Sequence, residues 1–277
     1  MSGACKGSIG IFDSGYGGLT ILRQIRQYLP EYDYVYLGDN ARAPYGPRSF
    51  EVIYSYTLQA VEALFNRGCR LVILACNTAS AKALRTIQEN DLPRWDDGRR
   101  VLGVIRPTVE AIGALTHTRH VGLLATPGTV GSGSYEMELR KLYGDIVLTS
   151  VACPMWVALV EYGEYDSPGA DYFIQKRIET IMRKDPEVDT LILGCTHFPL
   201  LIEKIAKYTP TGVRLVPQGD YVAKSLARYL AKHEAMRNNC TKGGTCTYLT
   251  TENSETFAAT AQIFLRKPLE NVEKIEL

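Results

Sequence analysis

Two cysteines stand in matching local strings. Residues 71–78 (L-V-I-L-A-C-N-T) and 190–197 (T-L-I-L-G-C-T-H) each run an apolar stretch into a small residue, a cysteine and then polar residues. A thiol whose pKa is brought from its free value of about 8.5 toward neutrality is an acid/base group. Two of them on opposite sides of a carbon acid can remove a proton from one face and deliver one to the other, which inverts that carbon. A second pair of strings, residues 9–15 (I-G-I-F-D-S-G) and 121–128 (V-G-L-L-A-T-P-G), precedes the first pair in the same order. Cys76 and Cys195 are 195 − 76 = 119 residues apart, and Ser14 and Thr126 are 126 − 14 = 112 apart. Either cysteine alone reads equally as an inert buried thiol. The repeated order favours two halves that each bring one thiol to a shared cleft.

The neighbours of these strings have chemical and structural readings side by side. The D-S-G-Y-G-G string opening at Asp13 follows an apolar run; its backbone N–H groups can hold an anion, or Asp13 and Ser14 can cap a helix. Its spacing is not that of a dinucleotide fingerprint, and it lacks the lysine of a phosphate-binding loop. Tyr45 and Gly46 lie in P-Y-G, which also reads as a plain surface turn. His197 can tune the thiol two residues before it or be a structural hydrogen-bonder. Glu161 after V-A-L-V reads as a solvated charge when taken alone.

Apolar runs at residues 9–12, 34–37, 71–75, 101–105, 121–124, 146–151, 191–193, 213–216 and 246–249 read as strands. Residues 71–75 show no polar alternation, the mark of a strand buried on both faces of a parallel sheet. Helical spacing or capping signals follow most of these runs, with helices expected near 19–29, 50–66, 80–89, 171–184, 220–233 and 255–265. This alternation predicts an α/β architecture with mostly parallel sheets. In such sheets ligands sit beyond the carboxyl ends of strands, where both cysteines fall. The polar stretch 91–100 (D-L-P-R-W-D-D-G-R-R) marks a crossover between domains.

The chain has 277 residues, enough for one large or two compact domains, with 45% hydrophobic and 22% charged residues. A formal net charge of +1 lacks the basic footprint of a nucleic-acid binder. No signal peptide is read at the N-terminus and no run approaches the roughly 18 apolar residues of a membrane span, so a cytoplasmic protein is expected. Seven cysteines, an odd number without a tight framework, are expected to be reduced. Cys240 and Cys246 lack a matching second ligand pair, so no metal site is expected.

The motifs 12–19 (F-D-S-G-Y-G-G-L), 36–46 (Y-L-G-D-N-A-R-A-P-Y-G), 75–80 (A-C-N-T-A-S) and 194–201 (G-C-T-H-F-P-L-L) resemble, in order, the signatures of the glutamate racemase family. The resemblance extends through 126–135 (T-P-G-T-V-G-S-G-S-Y), 159–163 (L-V-E-Y-G) and a T-x-x-x-x-x-F tail, covering nearly the whole chain. It implies two pseudo-symmetric, doubly wound α/β/α domains with the site in the cleft between them. The first would comprise residues 1–97 and 211–277, the second 98–210. It implies interconversion of L- and D-glutamate without pyridoxal phosphate, metal or nucleotide, supplying D-glutamate for peptidoglycan. Cys195 would take the α-proton of L-glutamate and Cys76 that of D-glutamate. Asp13 and His197 would assist them, and Glu161 would support His197. Ser14, Tyr45, Gly46, Asn77, Thr78 and Thr196 would bind substrate, together with Asp13 and His197.

Tyr16 stands where a small aliphatic residue is more usual, Ala125 where glycine is, and Arg106-Pro107-Thr108 replaces a variable string. Seven tyrosines between Tyr28 and Tyr56 suggest a contact between two copies, since such rings favour interfaces. Three other readings stay open. An aspartate racemase differs by one methylene of substrate, worth only about 1–3 kcal/mol in a pocket. A hydrolase would pair Cys195 with His197, and a two-domain binding protein would hold an amino acid without turning it over.

Overall fold

The structure, a computed structural model, describes residues 6–95, 98–269 and 271–277. Cys5 and part of the expected crossover at 91–100 lie outside the described residues.

Among the described residues ten strands form two sheets. They are β1 (Ile9–Asp13), β2 (Tyr34–Gly38), β3 (Leu71–Leu74), β4 (Arg100–Gly103), β5 (His120–Ala125), β6 (Val147–Ala152), β7 (Thr190–Gly194), β8 (Arg214–Pro217), β9 (Cys246–Thr250) and β10 (Val272–Lys274). The larger sheet has the order β10-β9-β2-β1-β3-β4 and the smaller β6-β5-β7-β8. Every pairing between these strands is parallel. The smaller sheet repeats four adjacent strands of the larger one, β2-β1-β3-β4: β5 matches β1, β6 matches β2, β7 matches β3 and β8 matches β4. The internal echo in the sequence is therefore an echo in topology, and Cys76 and Cys195 follow equivalent strands.

The period of two along each strand sorts its side chains onto two faces. Ile9 and Ile11 of β1, Tyr34 and Tyr36 of β2, and Leu71 and Ile73 of β3 join one core with Leu22 and Ile25 of the helix Leu19–Tyr28. Phe12, Val35, Leu37, Val72 and Leu74 join another with Ile53, Val61 and Leu64 of the helix Phe50–Asn66. In the smaller sheet Leu191 and Leu193 share a core with Ile174 and Ile178 of the helix Pro168–Lys184. Ile192 faces the other way, with Val109 and Leu139 of the helices Ile105–Ile112 and Ser134–Leu142. Helices thus cover both faces of both sheets, which is why these strands carry uninterrupted apolar runs.

Local chemistry sets the ends. Ser49 caps its helix by accepting the Val52 N–H at 3.4 Å, and Gly68 adopts φ 88° just past the helix end. Ser167 accepts the Ala170 N–H at 3.3 Å, so that helix begins at Pro168, ahead of the expected 171. β4 stops at Gly103 rather than running to residue 105. There the Val104 N–H turns to the Ser80 hydroxyl at 3.4 Å and Ile105 opens a helix.

β4 pairs with β3 on the larger sheet, and β8 pairs with β7 on the smaller one. By sheet membership the chain passes to the smaller sheet after Gly103 and returns to the larger one after Pro217. Four of the seven tyrosines between positions 28 and 56 (Tyr32, Tyr34, Tyr36 and Tyr45) are buried inside the chain, which removes them from any contact between copies. Among the described residues no helix is long and apolar enough to cross a membrane.

Candidate active site

β1 lies between β2 and β3 in the larger sheet, and β5 between β6 and β7 in the smaller. The chain leaves such central strands in opposite directions, and the carboxyl ends beside that divergence form a crevice. Asp13 and Cys76 emerge at that crevice in one half, Thr126 and Cys195 in the other.

Cys76 is the N-cap of the helix Asn77–Lys82. Its Sγ accepts the Ala79 N–H at 3.5 Å, and its S–H donates to Ser14 Oγ at 3.5 Å. This cap makes the helix start earlier than the expected residue 80. Burial pushes the Cys76 thiol up to about 12, and the negative charge of Asp13 adds to the rise; the Ser14 and Ala79 hydrogen bonds oppose it. Burial also raises Asp13 above the usual carboxylate range, partly offset by the His197 charge and the Gly18 and Gly15 N–H groups.

Cys195 follows β7 but caps no helix. Thr196 and His197 intervene before the short helical turn Phe198–Leu201, where Pro199 stands at the start. Its Sγ lies 3.9 Å from His197 Nδ1, and His197 Nε2 lies 2.8 Å from Glu161 Oε1. Burial works against the charged ring, yet hydrogen bonds to Cys195 and Glu161 outweigh it and push His197 up to about 10. Glu161, at the end of the helix Trp156–Glu161, is therefore no free surface charge. The thiols occupy equivalent positions in unlike fields: Cys76 faces a carboxyl group and Cys195 an imidazolium.

The two halves meet through short polar contacts. Thr196 Oγ1 donates to Asp13 Oδ1 at 3.4 Å, and Thr20 Oγ1 donates to the Thr196 carbonyl at 3.0 Å. Thr78 Oγ1 lies 3.0 Å from Thr126 Oγ1 and 3.3 Å from Thr129 Oγ1. A side chain at Gly46 would come 3.2 Å from Thr126 Cβ, so P-Y-G lies against the other half and is not a free surface turn. Tyr45 is buried, with its hydroxyl donating to Asp39 Oδ2 at 2.6 Å. A methyl group at Gly17 would strike Thr196 and His197, so the D-S-G-Y-G-G loop needs glycine there to pass the histidine.

Gln218 escaped the sequence reading. It is buried, and its Oε1 accepts from Asn77 Nδ2 at 2.6 Å. Its Nε2 donates to Tyr135 Oη at 2.7 Å and Thr108 Oγ1 at 2.9 Å. Tyr135 in turn donates to Asn77 Oδ1 at 2.7 Å. Gln218 thus ties the residue after Cys76 to the second half. No local signal marked it, because its partners lie 83 or more residues away.

The structure brings together the sequence-selected Asp13, Ser14, Cys76, Asn77, Thr78, Glu161, Cys195, Thr196 and His197, with Gly46 at the seam and Tyr45 behind it. Both thiols are only 5% exposed, so the crevice is closed. All six described cysteines are free. Among the described residues no group of three or more His, Cys, Asp or Glu side chains is placed to hold a metal ion.

Fold and site define the class: a protein of two parallel α/β halves with a thiol at the matching strand end of each. The chain belongs to the Asp/Glu/Hydantoin racemase family, whose model matches residues 17–226. It is 41% identical over 273 residues to a glutamate racemase of Roseobacter denitrificans, covering 95% of this chain and 98% of that one. Among solved structures it resembles glutamate racemase isoform RacE1 from Bacillus anthracis, with TM-score 0.88, 32% identity and 98% coverage of both chains. It also resembles a glutamate racemase from Francisella tularensis in complex with D-glutamate, with TM-score 0.86, 30% identity and 98% coverage of both.

Proposed function

We propose that this chain interconverts L- and D-glutamate by proton transfer between two thiols at the α-carbon, without an organic cofactor or metal. The observation that carries the reading is the pair Cys76 and Cys195, which follow equivalent strands and reach one closed crevice from its two halves. Each half is read as a domain, divided where the chain changes sheets, with the substrate between them.

In the L-to-D direction Cys195 is the base. The His197 imidazolium, held by Glu161, stabilises its thiolate, which takes the α-proton. Cys76, kept protonated by burial and by Asp13, gives its proton to the opposite face. In the reverse direction the roles exchange. Cys76 then acts as base, with Ser14 and the Ala79 N–H stabilising its thiolate and Asp13, whose affinity for protons burial has raised, assisting.

The carbanion between these steps places charge on the substrate carboxylate. Preorganised donors in a water-excluded site stabilise such charge. Ser14, Asn77, Thr78 and Thr196 offer those donors, and Gly46 holds the seam close. Tyr45 acts from behind, through Asp39. A cytoplasmic supply of D-glutamate for peptidoglycan is the corresponding role. Glutamate rather than aspartate is favoured by the sequence relatives, which are glutamate racemases over nearly the whole chain.

The test follows each enantiomer in deuterated water without added cofactor. Two single-proton bases on opposite faces give a product carrying α-deuterium while the remaining substrate keeps its hydrogen. Deuterium appearing equally in both from the start indicates a single base. Folded, reduced protein that changes neither enantiomer overturns the racemase reading.

A further inference from the structure

Away from the crevice, an open pocket of about 620 Å³ lies between the helix Leu19–Tyr28 and the end of the helix Ser254–Leu265. Arg23, Arg26, Arg266 and Lys267 line it, with Gln24 and Gln27 between them. Among the described residues no carboxylate lines the pocket, and none of the four cations has an ion-pair partner. The negative end of the helix Ser254–Leu265 offsets only about half a charge. Among the described residues, four cations around one hollow are thus left largely uncompensated, in a chain whose net charge is only +1.

Two of the four are already held in place. Arg23 Nη1 donates to the Phe264 carbonyl at 3.1 Å, and Arg26 Nη2 donates to the Gly244 carbonyl at 3.1 Å. Arg23 is half-buried, and burial together with the charge of Arg266 weakens its hold on its proton. Arg266 and Lys267 are exposed and free to move onto a ligand. Fixed guanidinium groups lose little entropy on binding, and their planar donors match phosphate oxygens. The hollow has the size of a small-molecule site, and the near-neutral chain lacks the extended basic face that a nucleic acid requires.

We propose that this pocket binds a small phosphorylated anion, with Arg23 and Arg26 as the preset floor and Arg266 and Lys267 closing over it. Gln24 and Gln27 supply neutral donors to the remaining oxygens.

The test uses inorganic pyrophosphate as the probe, titrated calorimetrically into the full chain at low ionic strength. It needs no turnover, so it is independent of the racemase reading. The expected result is saturable binding at one site that weakens as salt is added. The double variant Arg266→Gln/Lys267→Gln alters only exposed side chains outside the catalytic crevice. It should bind about tenfold more weakly while folding and racemising as the parent does. Absence of saturable binding, or equal affinity in the parent and the double variant, overturns the proposal. Arg23→Gln supplies a second check: it should weaken binding as well, and undiminished affinity in that variant also counts against the site.

Discussion

His197 sits where burial and two hydrogen-bonding partners oppose one another, and the partners win. Its folded-state value of about 10 lies above the ordinary 6.5. A raised value means that protonated His197 adds stability fully present below about pH 6.5, and that this contribution is lost as pH rises through about 10. Thermal unfolding between pH 7 and 10 should therefore fall more steeply in the parent than in His197→Asn. Equal slopes would remove the imidazolium from the account. Gly17→Ala probes the same residue sterically. The added methyl meets Thr196 and His197, an overpacking cost of about 1–3 kcal/mol, and kcat should fall with the displaced ring. A variant with unchanged Tm and kcat would show that the loop yields freely.

The sequence revealed most of these residues through motif order, but not how they are arranged. Cys76 and Cys195 look alike in their strings, each beyond the end of an apolar run. Only Cys76 caps a helix, because Thr196, His197 and Pro199 delay the turn in the other half. By its local string alone Glu161 was indistinguishable from a solvated charge; only the family resemblance pointed to His197, 36 residues away, where the fold brings it.

At the scale of elements, strand identity was plain where the runs carry no polar side chain, as in β1, β3, β5 and β7. The short edge strand β10 went unread because V-E-K has no apolar alternation. Sheet membership of β4 and β8 could not be read from local sequence, since neighbours in a parallel sheet are chosen by long-range packing. Gln218, at the turn from β8 into the helix Gly219–Lys232, shows what that membership achieves. It couples Asn77 to Tyr135 and Thr108 across the two halves. Gln218→Leu leaves buried polar partners unmet, at about 1–3 kcal/mol. If the residue positions Asn77, KM should rise more than kcat falls, and Gln218→Glu should restore part of the loss through its retained acceptor. A loss of Tm with unchanged kinetics would make Gln218 structural only.

Across the whole molecule, the two sheets form a closed crevice whose thiols have 5% exposure each. Admission of an amino acid requires the halves to separate, a motion of the kind that gates many closed active sites. Alkylation of Cys76 and Cys195 by iodoacetamide should therefore run well below the rate of a free thiol and slow further with glutamate present. Modification at the free-thiol rate, unaffected by glutamate, would mean the crevice stands open in solution. The match of β6-β5-β7-β8 to β2-β1-β3-β4 explains how two related halves deliver two thiols. The unlike fields around them explain why the two directions of reaction need different helpers.

The central claim is that one thiol serves each face of the α-carbon. It is tested most directly by Cys76→Ala and Cys195→Ala, each given L- and D-glutamate in deuterated water. Both variants should fold and bind glutamate, and both should lose racemisation by about 10²- to 10⁴-fold, the usual weight of a positioned acid or base. Cys195→Ala should fail to exchange the α-proton of L-glutamate, and Cys76→Ala that of D-glutamate. Inversion persisting at the parent rate in either variant would contradict the account.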